Sequence, residues 1–107
     1  MEIKSEIIEL SAIKLNPDDP RTITEKDMDR LVKSIQNFPE MMKLREIVVD
    51  ENNIILGGNM RLLALKKMGT KKCPVKIITG LSQEQKLEFI IKEIKDNTNY
   101  VGGGLEF

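Results

Sequence analysis

An apolar run that meets two glycines and continues with helical character constrains this chain more than any other segment. It reads Ile54-Ile55-Leu56-Gly57-Gly58-Asn59-Met60-Arg61-Leu62-Leu63-Ala64-Leu65-Lys66-Lys67-Met68-Gly69. The order implies a strand, a turn without side chains, and a helix that begins at Asn59 as N-cap and ends at Gly69. Apolar residues fall on most sides of that helix, so it belongs in the interior and its N-terminus is held rigidly at the strand end. Backbone N–H groups at such a turn approach a ligand closely. The helix N-terminus adds partial positive charge, which favours an anion, phosphate above all. Arg61, in the first turn, adds a planar two-pronged donor for phosphate oxygens. The same glycines also fit a plain tight turn, and taken alone the segment favours that reading.

The rest of the chain supplies partners for this unit. Ile7-Ile8-Glu9-Leu10 predicts a strand, with Ser11 capping a short turn. Thr24 stands three before Asp27, and Met28, Leu31, Val32 and Ile35 recur at helical spacing, so a helix is expected over 25–37 with that stripe in the core. Glu46–Asp50 and Ile54–Leu56 flank the turn-rich Asp50-Glu51-Asn52-Asn53 and read as a hairpin. Pro74–Ile78 predicts a further strand. Ser82 with Gln85 forms a capping box for a helix carrying Leu87, Ile90, Ile91 and Ile94. Gly102-Gly103-Gly104 reads equally as a linker to a further domain or a frayed end.

Composition excludes several chemistries. One cysteine, Cys73, and no histidine leave no disulfide framework, no Cys/His zinc site, no histidine-ligated haem and no Ser-His-Asp or Cys-His pair within the chain. Cys73, before Pro74 at the start of a strand, reads as a small buried hydrophobe. At 107 residues the chain is one domain. Seventeen basic and seventeen acidic residues cancel, which argues against a protein that coats nucleic acid. Lys66, Lys67, Lys71 and Lys72 still form a local basic cluster, read first as a solvated helix end and second as a weak DNA contact. No long apolar stretch and no secretory pattern is visible, so a cytoplasmic protein without a membrane partner is expected.

Gly57, Gly58, Arg61 and Ala64 resemble the Gly-Gly-Cys-His-Arg-x-x-Ala motif of sulfiredoxins. Gly58, Arg61 and Ala64 also fit the Gly-Glu-Arg-Arg-x-Arg-Ala box of ParB-type chromosome-partition proteins. Asn16-Pro17-Asp18-Asp19-Pro20-Arg21 is similar to the ParB "Asn…Pro-Arg" segment, and Asp96-Asn97 to the Glu-Asn pair that closes the ParB nucleotide site. The resemblance runs from about Ile7 to Asn97. It implies an α+β fold, a single ParB/sulfiredoxin-like domain with a small mixed sheet packed against helices, over residues 1–97, followed by a flexible tail or linker over 98–107.

By the same resemblance Gly57, Gly58, Asn59, Met60 and Arg61 form a nucleotide-phosphate cradle that Arg21 faces. Asp96 and Asn97 then help to hold Mg2+ between the phosphates of CTP or ATP. By residues alone, Asp96-Asn97 reads as a helix end and Arg21 as a surface arginine. The departures are specific. Asn59 replaces the sulfiredoxin cysteine, which removes sulfur chemistry at that position. Met60 and Leu63 replace two ParB arginines, Leu44-Arg45 replaces a Gln-Pro, and Tyr100 replaces the arginine after Glu-Asn. Arg45 either restores the lost charge or points to solvent. ParB-like domains with a reduced box occur in phages and mobile elements, often ahead of a DNA methyltransferase, and this pattern is nearest to theirs.

Two function classes follow. The first is a nucleotide-phosphate-binding module in DNA transactions such as partition, DNA modification or mobile-element biology, followed by a methyltransferase or helix-turn-helix domain. The second is a non-catalytic DNA- or protein-interaction module that keeps the fold without the nucleotide. Neither requires an enzyme. A nuclease ranks third, because no acid cluster is evident beyond the scattered Asp18, Asp19, Glu46, Asp50 and Asp96.

Overall fold

Local signals decide where most helices begin and end. In the structure, a computed structural model describing residues 1–19 and 22–98, with side chains along the last helix described to Glu93, the first long helix α1 spans Glu25–Asn37. The Asp27 N–H donates to the Thr24 hydroxyl at 3.1 Å, satisfying one of the orphan donors of the first turn. Met28, Leu31 and Ile35 face the core as the spacing requires. The last helix, α4 at Gln83–Thr98, starts in a reciprocal capping box. Its Gln85 N–H donates to Ser82 Oγ at 3.1 Å, and the Ser82 N–H donates to Gln85 Oε1 at 2.9 Å. A short helix α2 at Met41–Leu44 was not anticipated and buries Met42.

Four strands form one mixed sheet: β1 (Glu2–Glu9), β2 (Ile47–Val49), β3 (Ile55–Gly57) and β4 (Lys72–Thr79), in the order β1-β4-β2-β3. β2 and β3 are the expected hairpin; β1 runs antiparallel to β4, and β2 parallel to it. β1 differs from the expected 7–10. It starts at Glu2 because it pairs with β4 from Glu2 opposite Thr79 to Glu9 opposite Lys72, a backbone ladder that needs no apolar alternation. Leu10 leaves the strand for a 3-10 turn over Leu10–Ala12 in which Leu10 alone is buried; Ser11 lies inside the turn and does not cap it.

The helix α3 (Asn59–Lys67) follows β3 and packs on α1 and β2. Its end is a Schellman motif. Gly69, at φ +78, donates to the Lys66 carbonyl at 3.0 Å, and the Thr70 N–H donates to Leu65 at 3.1 Å. One core cluster joins Leu31 and Ile35 of α1, Ile47 and Val49 of β2, Ile55 of β3, Leu62 and Leu65 of α3, and Val75 of β4.

The β2–β3 register shifts by one residue, so Val49 faces Ile55 while Val48 faces Gly57. Val48 and Val49 alternate, which puts Gly57 on the opposite sheet face from Ile55. That is the face α4 covers at the β3 end of the sheet, and the shift therefore delivers the glycine turn to α4.

Candidate functional site

Gly58 carries the chain from β3 into α3 at φ +113, ψ +22, a left-handed conformation that side chains disfavour. A Cβ there would also lie 3.1 Å from Ile47 Cγ1. Gly58, not Asn59, is the N-cap, and it offers no side-chain acceptor to the N–H groups of the first turn. Asn59 is instead the first helical residue, and its buried side chain turns to the loop before α1. Asn59 Oδ1 accepts from the Asn16 N–H at 3.2 Å, and Asn59 Nδ2 donates to the Asn16 carbonyl at 3.3 Å. Asn16 Nδ2 continues to the Ile55 carbonyl at 2.7 Å, while Asn16 Oδ1 accepts from the Asp18 N–H at 2.8 Å. The loop that leads to Arg21 is thereby laced to the glycine turn. Arg21 itself lies outside the described residues.

Arg61 is brought beside this turn. Its Nε would be 3.5 Å from a Cβ on Gly58, and its guanidinium donates to the Arg45 carbonyl and, at 3.5 Å, to the Glu46 carbonyl. Arg45 contributes that carbonyl and keeps an exposed side chain. Met60 and Leu63, where ParB proteins carry arginines, are half-buried and pack against the core.

Glu93 was missed by sequence reasoning. A Cβ on Gly57 would sit 3.0 Å from Glu93 Oε1, so the carboxylate lies directly against the glycine turn. A signal existed: Lys86, Ile90 and Glu93 follow at i, i+4 and i+7, one stripe of α4. Lys86 anchors that stripe. Its buried ammonium meets Asp50 Oδ2 at 3.1 Å and Glu51 Oε2 at 2.9 Å in the hairpin turn. Asp50 also accepts from the N–H groups of Asn52 at 2.8 Å and Ile54 at 3.0 Å. Burial raises the Asp50 carboxyl, but the bonds from Ile54, Lys86 and Asn52 outweigh it and hold its pKa below the ordinary value. The Lys86 pKa is raised, chiefly by its bond to Glu51. The side chains of Asp96 and Asn97 lie outside the described residues, one turn beyond Glu93 on α4.

The basic cluster is a separate feature. Lys66 and Lys67 close α3, Lys71 and Lys72 open β4, and all four are exposed. The nine residues of α3 put Lys67 about 13 Å from the glycine turn. Lys67 is paired with Asp29 of α1 at 2.9 Å. Cys73 is buried, and desolvation pushes its pKa up to about 11, as suits an inert core thiol. Among the described residues no group of three or more acids or cysteines converges to hold a metal, and no helix is long and apolar enough to cross a membrane.

This geometry has relatives. A CTP-γ-S complex of truncated ParB from Caulobacter crescentus is 28% identical with a TM-score of 0.70, over 86% of this chain and 53% of that one. The same protein complexed to the centromeric parS site matches at 25% identity and TM-score 0.66, over 94% and 50% of the two chains. A Pnob8-like ParB-N domain shares the fold at 20% identity and TM-score 0.62, covering 83% of this chain and 35% of that one. This chain thus spans about half the length of the Caulobacter protein or less of the others. None of the curated proteins matches it. The model of the ParB N-terminal domain matches residues 2–97, nearly every element described above, and the chain belongs to that family.

Proposed function

We propose that this domain binds the phosphates of a nucleoside triphosphate, CTP or ATP, and acts in DNA transactions. The observation that carries the reading is the left-handed Gly58 at the start of α3, uncapped by its own side chain, with the Arg61 guanidinium beside it. The complex of the related Caulobacter protein with CTP-γ-S supports it. In this reading Gly57, Gly58, Asn59 and Met60 offer backbone N–H groups, Arg61 and Arg21 offer guanidinium groups, and the Asn16–Asn59 bonds keep the two segments in register. Magnesium fits the donors present, since it takes one or two carboxylates together with phosphate oxygens and water. Glu93 lies against Gly57, and Asp96 and Asn97 follow on the same helix. Such an ion would neutralise phosphate charge. The reduced arginine box supports a place among phage or mobile-element members in the cytoplasm, working with a methyltransferase or helix-turn-helix domain.

Two observations favour a second reading, an interaction module that has given up the nucleotide. Arg61 is engaged by backbone carbonyls, and Met60 and Leu63 serve the core. Calorimetric titration with CTP, ATP and GTP, each with magnesium, separates the two. Saturable binding of one nucleotide supports the first reading, and no heat with any of them supports the second.

A further inference from the structure

β1 is an edge strand of eight residues, and among the described residues nothing pairs with its outer side. All of it except Ile8 is exposed, Ile3 to 53% and Ile7 to 71%. Exposed edges of this length are templates for another strand unless charge or proline blocks them, and β1 has no proline. Its charges carry a pattern. Lys4 and Glu6 share one face and approach each other at 3.7 Å, while Ile3, Ser5 and Ile7 share the other.

We propose that two copies of this chain pair antiparallel through their β1 edges about a two-fold axis at Ser5, joining two four-stranded sheets into one. In that register Ile3 lies opposite Ile7 of the second copy, Lys4 opposite Glu6, and Ser5 opposite Ser5. Across the central five residues, 3–7, each apolar residue meets an apolar one and each charge its opposite, whereas Glu2 at the end of the strand lies opposite Ile8. Shifting the axis to Lys4 sets Lys4 against Lys4 and Glu2 against Glu6, and shifting it to Glu6 sets Glu6 against itself. An axis at Ile3 also sets Glu2 against Lys4 but pairs only the first residues of β1, so the register at Ser5 is selected by charge among those that pair most of the strand. β3 lies at the far edge of the sheet, so both glycine turns stay accessible in the dimer. Edge pairing buries less than the roughly 1,200 Å² of a standard stable interface, so the association is concentration-dependent.

Sedimentation velocity across micromolar to millimolar protein tests this, with circular dichroism to check folding of each variant. The wild type is expected to pass from monomer to dimer. Lys4→Glu should weaken the dimer about tenfold, and the double variant Lys4→Glu/Glu6→Lys should restore it, because each exchanged charge again meets its opposite. Ser5→Cys should form a disulfide-linked dimer under mild oxidation, since residues facing each other across an antiparallel pair have Cβ atoms about 5 Å apart. Ile3→Cys should not, because its copy lies about 13 Å away along the strand. Buried Cys73 does not compete. A monomer at every concentration overturns the proposal, and so does a double variant no tighter than Lys4→Glu or equal cross-linking of the two cysteine variants.

Discussion

Asn16 and Asn59 hold each other through a reciprocal pair of hydrogen bonds, 3.2 Å from the Asn16 N–H to Asn59 Oδ1 and 3.3 Å from Asn59 Nδ2 to the Asn16 carbonyl. Both residues are buried. The pair ties the first loop to the first residue of α3, so the backbone before Arg21 and the glycine turn move as one.

Asn59→Ala leaves the Asn16 N–H and carbonyl without this partner inside the protein. A loss of about 1–3 kcal/mol is expected, read as a fall in melting temperature of roughly 4–8 °C per kcal/mol. A melting temperature equal to wild type would show that water replaces the asparagine without cost.

The two glycines should respond differently to alanine. Gly58→Ala forces φ +113 on a side-chain residue and sets its Cβ 3.1 Å from Ile47, so a loss of about 1–3 kcal/mol from strain alone is expected. Gly57→Ala meets only the end of the Glu93 side chain, which can swing aside. Its effect on stability should be smaller, and its effect on any magnesium-dependent nucleotide affinity larger. Thermal melts of the two variants decide the first point and paired titrations the second.

Arg61→Ala should weaken nucleotide binding by about 1.5–3 kcal/mol, and Arg61→Lys should recover only part of it, because a point charge lacks the fork geometry. Unchanged affinity in Arg61→Ala would assign the guanidinium a structural role and favour the interaction module.

Lys86, bonded to Glu51 and Asp50, makes stability fall at both ends of the pH scale. Asp50 titrates below its unfolded value of 3.8, so its contribution is complete above that pH and is lost as the pH drops through the lower folded value. Lys86 titrates above 10.5, so its contribution is complete below that pH and is lost as the pH climbs through the higher folded value. Lys86→Met leaves a buried carboxylate without its cation and should cost about 3 kcal/mol near neutrality. Denaturant melts at several pH values should show the gap from wild type narrowing once Asp50 protonates. A constant gap would mean that Lys86 acts through packing.

Duplex DNA should bind weakly, with a slope of log affinity against log salt no steeper than about −3. Lys66, Lys71 and Lys72 are exposed and placed to meet phosphates, whereas Lys67 is held by Asp29. Anisotropy titrations across a salt series check this. Tight, sequence-selective binding at physiological salt would place base-reading residues elsewhere on the surface.

The sequence by itself determined the elements whose causes lie within a few residues. Thr24 and the stripe from Met28 to Ile35 delimit α1 at Glu25–Asn37, Ser82 and Gln85 start α4, and Gly69 ends α3 through its own bond to Lys66 and that of Thr70 to Leu65. The Gly57-Gly58 turn was legible for the same reason, because few other residues allow that backbone. Only the tertiary structure decided what meets the turn. Asn59 reads as an N-cap until Asn16, 43 residues away, takes its side chain. Glu46 is likewise an ordinary loop acid until the fold brings Ser5 to it, 41 residues distant. The shift between β2 and β3 turns Gly57 toward α4, and Lys86 reaches 36 residues back to Asp50 to hold that helix with Glu93 against the glycine. Capping and periodicity act between neighbours along the chain, whereas these contacts exist only once the sheet has brought distant segments together.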